Sequence, residues 1–144
     1  MFVRSPSTFV LNLELELSRP FHHKHRMINI PELEILPITA SLSGDGRLAI
    51  GGCDVRELVK KFGSPLYIYD EVTLRAMCRD FVDRFTDEYP RSLIEYSSKA
   101  FSNPAVAKII DEEGLSMDVV TGGELAVAMA ADFPAERLNF HGNN

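Results

Sequence analysis

The feature that most constrains the fold is a repeated alternation in the second half of the chain. Strand-like apolar runs begin near Leu66, Leu93, Leu115 and Leu138, and each interval between them holds one helical segment. Such alternation builds parallel strands joined by right-handed crossovers. Asp70 opens a helix on which Leu74, Cys78, Phe81 and Phe85 recur at helical spacing. Asn103-Pro104 starts the next, with proline in the tolerated first position, and Gly114 ends it. Thr121 caps a third, with Glu124 as its reciprocal partner. Four βα steps are half of a (β/α)8 barrel, which typically needs about 250 residues, whereas this chain has 144. The expected fold class is therefore α/β, a partial TIM-type (β/α)8 barrel truncated after about half its strands. Its last strand, Leu138 to Phe140, would present an unpaired edge, so the isolated chain is expected to aggregate or stay loosely folded.

Ahead of the repeat, residues 36–63 read as a β-hairpin and a helix. Leu36 to Ala40 and Leu48 to Ile50 flank Ser43-Gly44-Asp45-Gly46, in which Asp45-Gly46 supplies the positive φ of a tight turn. Asp54 caps the helix with Glu57 three residues on, Val55, Leu58, Val59 and Phe62 share a face, and Gly63 ends it. Residues 1–35 read as a flexible extension with a short β segment. The alternation of Leu11, Leu13, Leu15 and Leu17 is a strand pattern for which nothing downstream announces a partner. His22, His23 and His25 sit in a basic tail and are not assigned to a metal. Residues 64–144 form the incomplete barrel.

A formal net charge of -6 lacks the concentrated basic surface that nucleic acid requires, so partners are expected to be small molecules or other subunits. Cys53 and Cys78 both fall within helical patterns and form no C-x-x-C pair, which points to a reducing compartment without disulfide or zinc. No apolar run approaches the roughly 20 residues of a membrane span, and Glu14 and Glu16 interrupt the stretch from Phe9 to Leu17, which argues against a secretory segment. The expected location is the cytoplasm.

In parallel βα architectures ligands bind outside the carboxyl ends of the strands. The unusual polar residues fall there. Lys99 follows the strand ending at Tyr96, Asp118 lies late in the run from Leu115 to Val120, Glu124 stands just past it, and His141 follows Phe140. A partly desolvated lysine on such a rim loses proton affinity and can become the neutral nucleophile that captures a carbonyl, while neighbouring carboxylates hold its ammonium form. Thr121-Gly122-Gly123 opens a helix but matches neither the dinucleotide nor the P-loop spacing, so it is read as an ordinary helix start.

The segments D-G-R-L-A-I-G-G, G-S-P-L-Y-I-Y-D-E, Y-S-S-K-A-F-S-N, M-D-V-V-T-G-G-E-L and F-H-G-N-N occur in this order from Leu36 onward. Together they resemble the diaminopimelate decarboxylases, of the alanine-racemase-like class of pyridoxal-phosphate (PLP) enzymes. The resemblance implies that Lys99 holds PLP covalently, that Asp118 and Glu124 line the cofactor pocket, and that His141 lines it from H-G-N-N. Ser97 departs from the family's usual alanine or proline and is small enough to leave the strand end intact. The implied reaction is decarboxylation of meso-2,6-diaminopimelate to L-lysine and CO2, with a small-molecule amino acid as substrate and a homodimer as the full-length form. The family's phosphate site, ring-stacking histidine and pyridine partner would lie beyond Asn144, so the chain by itself is expected to be an inactive fragment. Two other readings are an ornithine or arginine decarboxylase, which shares the Y-x-x-K-A element, and a non-catalytic regulatory homologue that keeps the fold.

Overall fold

The computed structural model describes residues 35–142 throughout and, ahead of them, the backbone of two strands, β1 (Phe2–Ser5) and β2 (Thr8–Leu11). Leu13, Leu15 and Leu17 of the alternating segment, the histidines at 22, 23 and 25, most of the 1–35 extension, and Asn143-Asn144 lie outside the described residues. The chain divides into two units, Met1–Leu74 and Arg75–Asn144.

In the first unit, β3 (Ser41–Leu42), β4 (Leu48–Ile50) and β5 (Cys53–Asp54) form an antiparallel sheet in that order. The hairpin between β3 and β4 turns on Gly46, at φ +75°, with the Ser43 hydroxyl donating to the Asp45 carboxylate as Asp-Gly chemistry requires. Its first strand is Ser41–Leu42, not the predicted Leu36 to Ala40. Pro37 has no N–H for a ladder, and its carbonyl instead accepts from Ala40 N–H at 2.8 Å to close a turn. Gly51 and Gly52, at φ +57° and +78°, form a second two-residue turn that places Cys53 in a strand opposite Ile50 rather than in a helix. Helix α1 (Val55–Phe62) follows, its first N–H groups received by Asp54 at 2.8 and 3.4 Å.

Strand β6 (Ile68–Asp70) is the principal departure from the predicted topology. It pairs antiparallel with β2, in a sheet ordered β1-β2-β6, instead of leading the parallel set. The pairing engages Thr8 to Val10, ahead of the Leu11 to Leu17 alternation. Strand pairing is a long-range choice, and the apolar run from Leu66 to Tyr69 carries no local mark of which neighbour it takes. Asp70 then caps α2 (Glu71–Glu88), accepting from Thr73 N–H at 3.1 Å, and α2 continues into the second unit.

That unit is a parallel α/β assembly. Strands β7 (Glu95–Ser97), β8 (Ser116–Val119) and β9 (Leu138–Phe140) lie in chain order, linked by α3 (Pro104–Glu112) and α4 (Gly122–Ala130). Asn103 caps α3 by accepting from Ala105 N–H at 2.9 Å, with Pro104 in the first position. One core cluster holds the layers together: Met117 and Val119 of β8 lie among Val106, Ala107 and Ile110 of α3, Ala128 of α4 and Phe133 beyond it. Helix α2 contributes Cys78 and, at the edge of the cluster, Val82. Phe81 and Phe85, which share the helical spacing of Leu74 and Cys78, are 55% and 46% exposed and stack on each other at 6.5 Å. Both rows satisfy helical spacing, but the row through Cys78 and Val82 faces the sheet, and Phe81 lies about a fifth of a turn away from it.

Candidate functional site

The four residues singled out from the sequence all stand at the carboxyl end of the parallel sheet. Ser97, Asp118 and Asn139 occupy one row of the register across β7, β8 and β9. Beyond Ser97 the chain enters a 3-10 turn, Ser98–Ala100, which carries Lys99 over the rim. Lys99 is exposed rather than partly desolvated, because this turn lifts it clear of the strand it follows.

Glu124 faces that turn. It occupies the third position of α4 and completes a capping box: Thr121 Oγ1 accepts from Glu124 N–H at 3.2 Å, and the Glu124 carboxylate accepts from Val120 N–H at 2.5 Å and Thr121 N–H at 3.1 Å. Val120 N–H is the main cause that holds this carboxyl below its ordinary range; partial burial opposes it, and Thr121 N–H, the Ser98 hydroxyl and the Lys99 ammonium add to the lowering. Ser98 is 1% exposed, and its hydroxyl faces the carboxylate without closing to hydrogen-bond distance of any partner. The Lys99 ammonium is thus near enough to Glu124 to be felt electrostatically.

Asp118 and His141 approach each other on the neighbouring strands. The backbone N–H of His141 donates to Val119 carbonyl at 2.9 Å, which extends the β8–β9 ladder past the end of β9. Its side chain remains 77% exposed, with Nδ1 3.9 Å from Asp118 Oδ1. That oxygen is buried and has no hydrogen-bond partner.

The sequence reading missed the face on which Asp118 stands. Side chains alternate across a strand, so Met117 and Val119 point to the helices while Ser116 and Asp118 point away from them. The register adds Glu95, Ser97 and Asn139 to this second face, where the Asn139 amide donates to the Glu95 carboxylate. Strands of a parallel sheet normally read as unbroken apolar runs. The period-2 polar positions in Glu95-Tyr96-Ser97, Ser116-Met117-Asp118 and Leu138-Asn139-Phe140 were the available signal of a polar face. Among the described residues no group of three potential metal ligands converges, and no helix is long and apolar enough to cross a membrane.

Residues 75–144 match the model of the pyridoxal-dependent decarboxylase family, pyridoxal binding domain. Over 106 residues the chain is 47% identical to diaminopimelate decarboxylase of Bacillus subtilis strain 168, covering 74% of this chain and 24% of that enzyme. It is 46% identical to the diaminopimelate decarboxylase of a Synechocystis species, covering 79% of this chain and 26% of the relative. Over these residues the chain is similar to the diaminopimelate decarboxylases. Among solved structures, diaminopimelate decarboxylase from M. jannaschii in complex with L-lysine superposes with a TM-score of 0.63 at 33% identity, covering 74% of this chain and 25% of that one. The chain thus spans about a quarter of the length of the diaminopimelate decarboxylases it matches.

Proposed function

We propose that residues 75–144 are the lysine-bearing part of a PLP-dependent diaminopimelate decarboxylase, in which Lys99 captures the cofactor and Asp118, Glu124 and His141 line its pocket. The observation that carries this reading is the position of Lys99, on a turn at the carboxyl end of a parallel strand with the ionised Glu124 beside it, inside a segment matching a pyridoxal binding domain. The polar face fits such a group: Ser98 Oγ, Ser116 Oγ and Asp118 Oδ1 are buried polar atoms without hydrogen-bond partners, as a site built for a polar ligand requires. PLP, when bound, supplies an electron-poor ring that takes up the electron pair a departing carboxylate leaves behind.

The chain's own residues then have separate tasks. Lys99 must give up a proton to act as nucleophile, and the Glu124 carboxylate, fixed by two backbone N–H groups, orients the ammonium until it does. His141 and Asp118 stand side by side at the rim, 3.9 Å apart, beyond the reach of a direct hydrogen bond. In this reading the parallel sheet is part of a (β/α)8 barrel formed by residues 64–144 and the remainder of a longer enzyme, with residues 36–63 as a preceding hairpin and helix. The substrate is meso-2,6-diaminopimelate and the product L-lysine, a reading supported by the names of the relatives and by the lysine complex of the M. jannaschii enzyme. A cytoplasmic homodimer is the corresponding full-length form.

Covalent trapping tests the central claim. Incubation of the protein with PLP, borohydride reduction and peptide mass spectrometry should locate the adduct at Lys99, and Lys99→Ala should remove it. Adduct spread evenly over Lys60, Lys61, Lys99 and Lys108 would overturn the assignment.

A further inference from the structure

We infer that Tyr96 is a positioning residue that clamps the turn carrying Lys99. This inference rests on the cofactor reading above only in what it says Lys99 is positioned for. The Tyr96 hydroxyl donates to the Phe101 carbonyl at 2.9 Å, spanning the 3-10 turn from its entry to its exit. Tyr96 and Phe101 both pack against the core cluster, and Ser98, between them, is 1% exposed. The turn is therefore anchored in the core at both ends and tied across its mouth, while Lys99 and Ala100 alone within it face outward. Side-chain direction explains how one residue manages both tasks. In the register Tyr96 lies opposite Met117, on the helix-facing side of the sheet, so its ring packs, partly buried, against the core while its polar tip reaches the chain as it comes back from the rim.

The consequence is a limit on where the amine can go. A lysine side chain has many rotamers, and if its backbone drifted as well, the amine would rarely meet a carbonyl held in one place. With the turn tied, only the side chain remains to be ordered. Tyr96→Phe keeps the ring packed against the core and removes the tie.

The experiment compares wild type with Tyr96→Phe by amide hydrogen exchange of the turn and by trapping of PLP at Lys99 with borohydride. The variant should fold, exchange the amides between Ser98 and Phe101 about tenfold faster, consistent with loss of one net hydrogen bond, and show several-fold less adduct at Lys99. Replacing Tyr96 with p-aminophenylalanine, which restores a donor at the same position, should reverse both effects. Unchanged exchange in the turn of Tyr96→Phe would overturn the clamp. So would a variant that fails to fold, since the bond would then be a requirement of folding rather than a local tie. Absence of adduct at Lys99 in the wild type would sink the cofactor reading, and the exchange comparison would still decide the clamp.

Discussion

Glu124 serves the helix and the candidate site with one carboxylate. Its bonds to Val120 and Thr121 N–H groups are those of an ordinary helix start, yet the same bonds keep it ionised beside Lys99. Thr121→Ala, which removes the other half of the capping box, should cost about 1 kcal/mol, checked by denaturant unfolding. Glu124 adds a pH dependence of determined sign. Its folded pKa lies below the ordinary 4.5, so its contribution is complete above that value and is lost as pH falls through the lower, folded pKa. Acid unfolding of Glu124→Gln should lack this component, and superimposable acid profiles of variant and wild type would contradict the assignment. The Thr121 and Glu124 pair was legible in the sequence because capping is local chemistry three residues long. The burial of Ser98 was not, since a serine in a loop carries no mark of what will cover it.

Between elements, the joint of α2 and α3 is ionic. Glu113 accepts from Arg79 at 2.6 and 2.8 Å and from Arg75 at 2.8 Å, and Arg75 also reaches Glu112 at 2.6 Å. The hydrogen bonds from Arg79, then those from Arg75, hold the Glu113 carboxyl low against the opposing effect of burial. Glu113 is 7% exposed whereas Arg79 is 63% exposed, so water screens much of that partner's contribution. Glu113→Gln should therefore destabilise the protein by about 1 to 2 kcal/mol at neutral pH. The difference should vanish as pH falls through the lowered, folded pKa of Glu113 in the wild type, which thermal melts in a pH series running down from 7 to well under the ordinary 4.5 would check. The extents of α3 and α4 followed closely from Asn103-Pro104, Gly114 and Thr121, since each boundary is set by one residue's backbone chemistry. Which face of α2 is buried did not follow, because Phe81 and Phe85 share the period of the residues that are buried beside them.

At the scale of the molecule, the parallel order of β7, β8 and β9 was readable from the helices between them, while the antiparallel pairing of β6 with β2 was not, because it joins segments about 60 residues apart with no shared local pattern. Strand β8 is bonded on both edges, and Met117 and Val119 are the deepest apolar side chains of the sheet. Its amides should exchange most slowly among the described residues; faster exchange there than in β3 to β5 would contradict the placement of the core. Glu95 and Asn139 belong to the two outer strands, and their side chains meet across the central one. Slipping β9 by one residue would turn Asn139 into the helix layer and bring Leu138 or Phe140 to the carboxylate. The pair therefore works as a register check: it is indifferent to insertions in the connecting segments, but it rejects a strand that arrives out of phase.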